Sequence, residues 1–143
     1  MWYSALEVAK YVITRCSEAG NPISNLKLQK MLYFLWVEFY RQTGRTLFYD
    51  DICAWQFGPV VPDVYYEYCS YAGRPINVIY PITDISPRDR RILDGLIDEY
   101  MEVPVNTLIN RTHSLGTAWD LTYRNGMGNR RTIPFDLIRT KER

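Results

Sequence analysis

Apolar residues in the first third of the chain recur at steps of three and four, the spacing that lines one side of a helix. Ala5, Val8, Ala9, Val12, Ile13 and Cys16 make one such face, and Leu28, Met31, Leu32, Leu35, Trp36 and Phe39 make a second. Ser4, with Glu7 three residues on, reads as a capping box ahead of the first helix. "AGNP" at residues 19–22 ends it, Ser24 caps the second helix and Gly44 closes that one. A later face, Ile92, Leu93, Leu96, Ile97, Tyr100 and Met101, follows a Ser86-Pro87 start. Val103-Pro104 interrupts it, and a further helix is predicted through "VNTLINRTH". "GTAWDLTYRNGMGN" reads as one or two helical turns and a glycine-rich loop, and residues 134–139 as a last short helix.

Between residues 52 and 57 the period changes to two. Ile52, Ala54 and Gln56 alternate with Cys53, Trp55 and Phe57, which predicts a short strand with one strongly apolar face. Gly58-Pro59 is expected to close that strand. Pro62 suits the first turn of a helix and Asp63 favours its positive end. That helix would run along Val64, Tyr65, Tyr68 and either Cys69 or Tyr71, stopping near Gly73. "RPINVIYPI" is a second β-like run, expected to pair with "DICAWQF" as a small ribbon. With no repeat and no dividing linker, the reading is a mainly α fold. It is a compact single-domain helical bundle over residues 1–143 with a minor short β-ribbon.

Composition narrows the function classes. The formal charge is +1, from 17 basic and 16 acidic residues, so no global field draws nucleic acid or a membrane surface. The three cysteines form no CxxC pair and His113 is the one histidine, too few ligands for a structural zinc site. Buried free thiols in a reducing compartment are the expectation. No stretch approaches the roughly 18 apolar residues of a membrane span. "MWYSALEVAK" lacks the charged leader and apolar run of a signal peptide, so a cytoplasmic protein is expected.

Candidate chemistry is sparse. No nucleophile elbow, phosphate loop or Cys-His signature is present, and neither a cofactor nor a metal is predicted. An enzyme would have to use His113 near Trp119 and Asp120, with a pocket and a carboxylate or hydroxyl within reach; the expectation is that the protein is not one. Asn25, Lys27, Gln29 and Lys30 imitate the start of a DNA-recognition helix. The same helix continues as "MLYFLWVEFY", apolar around most of its circumference, as a buried helix is. Exposure of Lys27, Gln29 and Lys30 on one face would favour DNA reading, and burial of Gln29 would oppose it. Tyr65 and Tyr66 stand about 100° apart on a helix, so at least one tyrosine of that cluster should reach the surface. Exposed tyrosine is enriched at protein interfaces.

The stretch "LKLQKMLYFLWVEFYRQTGRTLFYDDICAWQFGPVVPDVYYEYCSYAG" resembles the Panacea domain of SocA-like antitoxins, also met as phage-associated GepA-like proteins. Residues 28–33 (LQKMLY), Leu47-Phe48, Ile52, Ala54-Trp55, Gly58-Pro59-Val60 and Val64-Tyr65 carry the resemblance, followed by Thr112-His113 and Trp119. Ala118 stands where the family pattern has a proline. The resemblance implies a cytoplasmic protein, often prophage- or plasmid-borne, that neutralises a cognate toxin. It would bind the toxin directly or act as an adaptor that hands it to an ATP-dependent protease. Leu28, Gln29, Lys30, Trp55, Gly58, Pro59, Val60, His113 and Trp119 are expected to be structural members of the motif. The recognition surface is expected among the exposed members of Tyr65, Tyr66, Tyr68 and Tyr71, with Lys27 and Lys30 alongside. The alternative is a phage or prophage DNA-binding regulator using the helix that starts at Ser24. Monomer and homodimer both stay open.

Overall fold

The computed structural model describes residues 2–142. Its first helix, α1 (Ala5–Glu18), is capped by Ser4, whose Oγ accepts from the Glu7 backbone at 3.1 Å. Its buried face is the six residues whose spacing predicted it. Helix α2 (Asn25–Thr43) runs from a Ser24 cap to Gly44, which takes the left-handed φ of 72° that ends a helix without steric cost. Besides its apolar face, α2 buries Asn25, Gln29 and Lys30. It is buried this widely because it packs against α1, α4 (Pro87–Met101), α5 (Val105–His113) and α7 (Phe135–Lys141). Ser86 caps α4 through the Asp89 backbone, with Pro87 in the first turn. The two-turn helix predicted after Gly116 is α6 (Ala118–Tyr123), capped by Thr117. The fold is mainly α, and its buried residues form one continuous hydrophobic cluster around α2.

The β-ribbon is not the predicted one. Strand β1 (Cys53–Trp55) pairs antiparallel with β2 (Gly58–Val60), in the register Cys53 to Val60, Ala54 to Pro59 and Trp55 to Gly58. Gly58-Pro59 therefore opens a second strand instead of closing the first. Gln56 and Phe57 make the turn, and Gly58 holds a φ of 114° that disfavours any side chain. The far edge of β1 takes the returning chain: Ala54 N donates to Arg131 O (2.8 Å) and Ile133 N to Ile52 O (2.7 Å).

"RPINVIYPI" forms no ladder with β1. Ile76 bridges Ile23, and the following backbone donors are met by helix hydroxyls: Val78 N donates to Ser17 Oγ (3.2 Å) and Tyr80 N to Thr14 Oγ1 (2.9 Å). Polar side chains of α1 thus occupy this segment where a strand partner was expected.

Helix α3 (Pro62–Glu67) also stops earlier than the spacing predicts. Tyr68 leaves helical angles (φ −112°, ψ 12°) and buries its ring, with its hydroxyl 3.0 Å from that of Tyr80. A 3₁₀ turn, Cys69–Tyr71, follows. All three cysteines are free; Cys16 and Cys53 are buried as expected, whereas Cys69 is exposed. Among the described residues, no helix is long and apolar enough to cross a membrane.

Candidate functional site: a clamped hairpin with an aromatic face

Two groups of side chains grip the β1–β2 hairpin. From α2, Gln29 Oε1 accepts from the Val61 backbone at 2.9 Å while its Nε2 donates to Asn25 Oδ1 at 3.0 Å. Asn25 Nδ2 in turn donates to the Tyr65 carbonyl (3.1 Å), tying the exit of the hairpin to the first turn of α2. One residue along, Lys30 Nζ donates to the Pro59 carbonyl at 2.8 Å. Lys30 is fully buried, and desolvation pushes its pKa down to about 7.

From the other side, Trp119 Nε1 donates to the Trp55 carbonyl at 2.7 Å. Its indole is stacked between His113 (centroids 3.9 Å apart, planes 4° apart) and Tyr123 (4.6 Å, 16°). Burial lowers the His113 pKa, with the Lys30 charge acting in the same sense and a hydrogen bond with the Phe57 backbone opposing. Gly58 lies where these groups converge: a Cβ there would sit 2.9 Å from Thr112 Oγ1 and 3.1 Å from Lys30 Cε. Val60 and Leu28 are both buried. Gln29, Lys30, Trp55, Gly58, Pro59, His113 and Trp119 therefore meet around the hairpin.

Ala118 is the first residue of α6, a position where proline and alanine are both accommodated. The backbone N–H that a proline would lack is used here: it donates to Glu142 Oε1 at 3.0 Å and ties α6 to the end of α7.

Several expected roles are corrected by burial. Lys30 and Tyr68 are inside and cannot line a recognition surface. Lys27 is half-buried, its Nζ donating to the Met101 carbonyl at 2.5 Å, because that carbonyl lies at the open C-terminal end of α4. With Gln29 also buried, the face that would read a DNA groove points into the core. Asp120 Oδ2 accepts from the Gly116 backbone at 2.9 Å, and His113 Nε2 is buried without a hydrogen-bond partner, so the two do not form an acid–base pair. Among the described residues, no three His, Cys, Asp or Glu side chains gather as metal ligands.

The outer side of the hairpin is aromatic. Phe57 at the turn and Tyr66 on α3 are 58% and 57% exposed. Trp55, Tyr65 and Tyr66 pack against one another with centroids 4.9–6.0 Å apart. Arg130 lies over the Trp55 ring (4.2 Å) and its Nη1 donates to the Tyr66 hydroxyl at 3.3 Å. Tyr71 is half-buried against Tyr68. A cleft of about 380 Å³ opens between this cluster, Leu26 and the 129–130 segment. Phe57 and Arg130 were not singled out from the sequence. Phe57 was read as part of a strand face, and nothing local announces that Arg130 returns to the hairpin.

Comparison with known proteins agrees with the motif. No solved structure matches. Antitoxin SocA of Caulobacter vibrioides (strain NA1000 / CB15N) is 33% identical over 138 residues, covering 87% of this chain and 72% of that protein. The sequence profile described as "Antitoxin SocA-like, Panacea domain" matches residues 28–120, a span that begins in α2 and ends at Asp120, enclosing the clamp except Asn25 and Tyr123. The chain belongs to the SocA-like antitoxin, Panacea domain family.

Proposed function

We propose that this protein is an antitoxin that neutralises its cognate toxin by direct binding, with the aromatic face of the clamped hairpin as the docking surface. One observation carries the reading: Phe57, at the turn of a hairpin that side chains hold from both sides, and Tyr66, on the adjoining α3, are large exposed aromatics. Rigid aromatic anchors lose little conformational entropy on binding and dominate the energy of protein interfaces. A standard interface buries about 1,200–2,000 Å², more than the hairpin alone offers, so contacts from neighbouring α3 and the 129–130 segment are included.

The protein would act in the cytoplasm beside its toxin. Delivery of the bound toxin to an ATP-dependent protease would be a second step on the same complex. The test is co-expression with the product of the neighbouring gene, scored by co-purification and by growth rescue. The wild type should form the complex and restore growth, and F57A/Y66A should lose both while melting like the wild type. Undiminished binding by that variant would remove this surface from the reading. Faster toxin turnover only in protease-proficient cells would distinguish the adaptor step from sequestration.

A further inference from the structure

Four of the described arginines form ion pairs with carboxylates, and the others form none. Arg15 pairs with Asp94 and Asp98, Arg41 with Glu38, Arg45 with Asp89, and Arg139 with Asp136. Arg130 has no carboxylate partner among the described residues; it stacks on an indole and donates once, to a phenol. Its placement is enforced. Arg130 holds a φ of 69°, uncommon for a residue with a side chain, and its backbone N–H donates to the Ala54 carbonyl at 2.6 Å. Ala72, across the same cleft, holds a φ of 53°. Strained backbone of this kind, at about 1–3 kcal/mol per residue, persists only where surrounding structure holds it in place.

The cleft that Arg130 borders has no carboxylate in its lining. Two of its amides are committed, Gln29 to the Val61 backbone and Asn25 to the Tyr65 carbonyl, while Gln56 and Asn129 line its rim. Its apolar wall is made by Leu26, Trp55 and Tyr65, beside a guanidinium centred over the Trp55 ring. A guanidinium has five N–H donors in a planar fork that suits a carboxylate, and the Tyr66 hydroxyl takes one of Arg130's, leaving the others for a ligand.

We infer that this cleft reads a short linear segment of the toxin in which an apolar side chain neighbours an aspartate or glutamate, the apolar group entering between Leu26, Trp55 and Tyr65 and the carboxylate pairing with Arg130. The inference rests on the direct-binding reading above. A peptide fits better than a nucleic acid strand because a phosphate backbone calls for a track of cations, and one cation lines this cleft.

The test is selection of a random seven-residue peptide library displayed on phage against the immobilised full chain, wild type and R130Q. Selected sequences are then synthesised and measured by fluorescence anisotropy. Wild type should enrich peptides with Asp or Glu beside an apolar residue. Replacing that acid by its amide should weaken binding at least about 10-fold, the order expected when a charge-assisted bidentate pair is lost. R130Q, with an unchanged thermal melt, should bind acid and amide forms alike, and R130K, which keeps charge but loses the fork, should fall between. No enrichment, an enriched motif without an acid, equal binding of acid and amide by wild type, or displacement by oligo-dT at matched concentration would each overturn the inference. Growth rescue separates the two claims. If wild type still rescues and binds the toxin while the peptide result is negative, this inference falls and the antitoxin reading stands. If wild type neither binds nor rescues, the antitoxin reading falls, and with it the assignment of the segment to the toxin.

Discussion

The terminal nitrogen of Lys30 lies 2.8 Å from the carbonyl oxygen of Pro59, at the end of a fully buried side chain that no carboxylate reaches among the described residues. A buried ammonium without a counter-ion is costly, and the structure lowers that cost by favouring the neutral amine. The remaining hydrogen bond joins the second turn of α2 to the second strand of the hairpin. Stability of the hairpin is thus coupled to the protonation of a core residue.

That coupling fixes a pH dependence. The Lys30 pKa falls from its ordinary 10.5 to about 7, so at intermediate pH the unfolded chain binds more protons than the folded one. Stability must therefore rise as pH increases from 7, at up to about 1.4 kcal/mol per pH unit for one group. His113, also lowered, adds a rise in the same direction below its ordinary 6.5. Above pH 9 the Cys16 thiol opposes, because burial pushes its pKa up to about 11 while the unfolded thiol ionises at its ordinary 9.0. Urea unfolding should show stability climbing from pH 7 to 9 and levelling beyond. K30M should remove most of that climb; an unchanged slope would mean that Lys30 keeps its proton in the fold.

Gly58 should tolerate no side chain. Alanine there meets Thr112 Oγ1 at 2.9 Å and the end of Lys30 at 3.1–3.2 Å, on a backbone with φ of 114°. The Lys30 end can shift only by giving up Pro59, so clash and strain add, at about 2–4 kcal/mol together. G58A should lower the urea midpoint accordingly with the slope unchanged. G73A is the control, since nothing lies within 4 Å of a Cβ there.

These two residues show what a sequence can and cannot say. The faces of α1 and the caps at Ser4, Ser24, Gly44 and Ser86 follow from spacing and cap chemistry, which are local. The hairpin was misread because Gly58-Pro59 looks like a terminator; its pairing partner lies three residues away, inside the same short segment. The segment after Arg74 looks like a strand, but hydroxyls on α1 satisfy its donors, a choice made by packing. The motif residues were visible as a pattern, yet their purpose depends on contacts such as Gln29 to Val61 and Trp119 to Trp55, which span 32 and 64 positions. Lys30 is expected both in the motif and beside the recognition surface; its burial is not legible locally, because lysine is almost never buried unless paired.

Trp119 should be worth more than its size. W119F keeps a ring between His113 and Tyr123 but removes the donor to the Trp55 carbonyl. Loss of that bond should cost about 1–3 kcal/mol, the price of stranding a partly buried carbonyl. H113A removes the stack and leaves the bond. Because both side chains act on the same indole position, the double variant should cost less than the two single losses added, by about 0.5–1.5 kcal/mol in a double-mutant cycle. Strict additivity would mean that the stack does not position the donor.

Away from the hairpin, Asp89 links the start of the chain to α4, and its partners decide which substitution hurts more. Its buried carboxylate accepts from Tyr3 Oη at 2.6 Å and from Arg45 Nη2 at 2.5 Å. Burial raises the Asp89 pKa, but Arg45, Tyr3 and Ser86 outweigh it and hold the group below its ordinary 3.8. The stabilisation is present above pH 3.8 and is lost as pH falls through the lowered value. Arg45 is partly exposed, so D89N leaves a guanidinium that water can solvate, whereas R45A leaves the buried charge with the Tyr3 hydroxyl and the Ser86 cap alone. R45A should therefore cost more at pH 7, about 2–4 kcal/mol, and D89N about 1–2. Thermal melts of both at pH 7 and pH 3 decide this: the R45A deficit should shrink in acid as Asp89 takes up its proton. A deficit that stays constant would place the effect of Arg45 in its packing over the Phe39 ring, 5.0 Å away, and not in its charge.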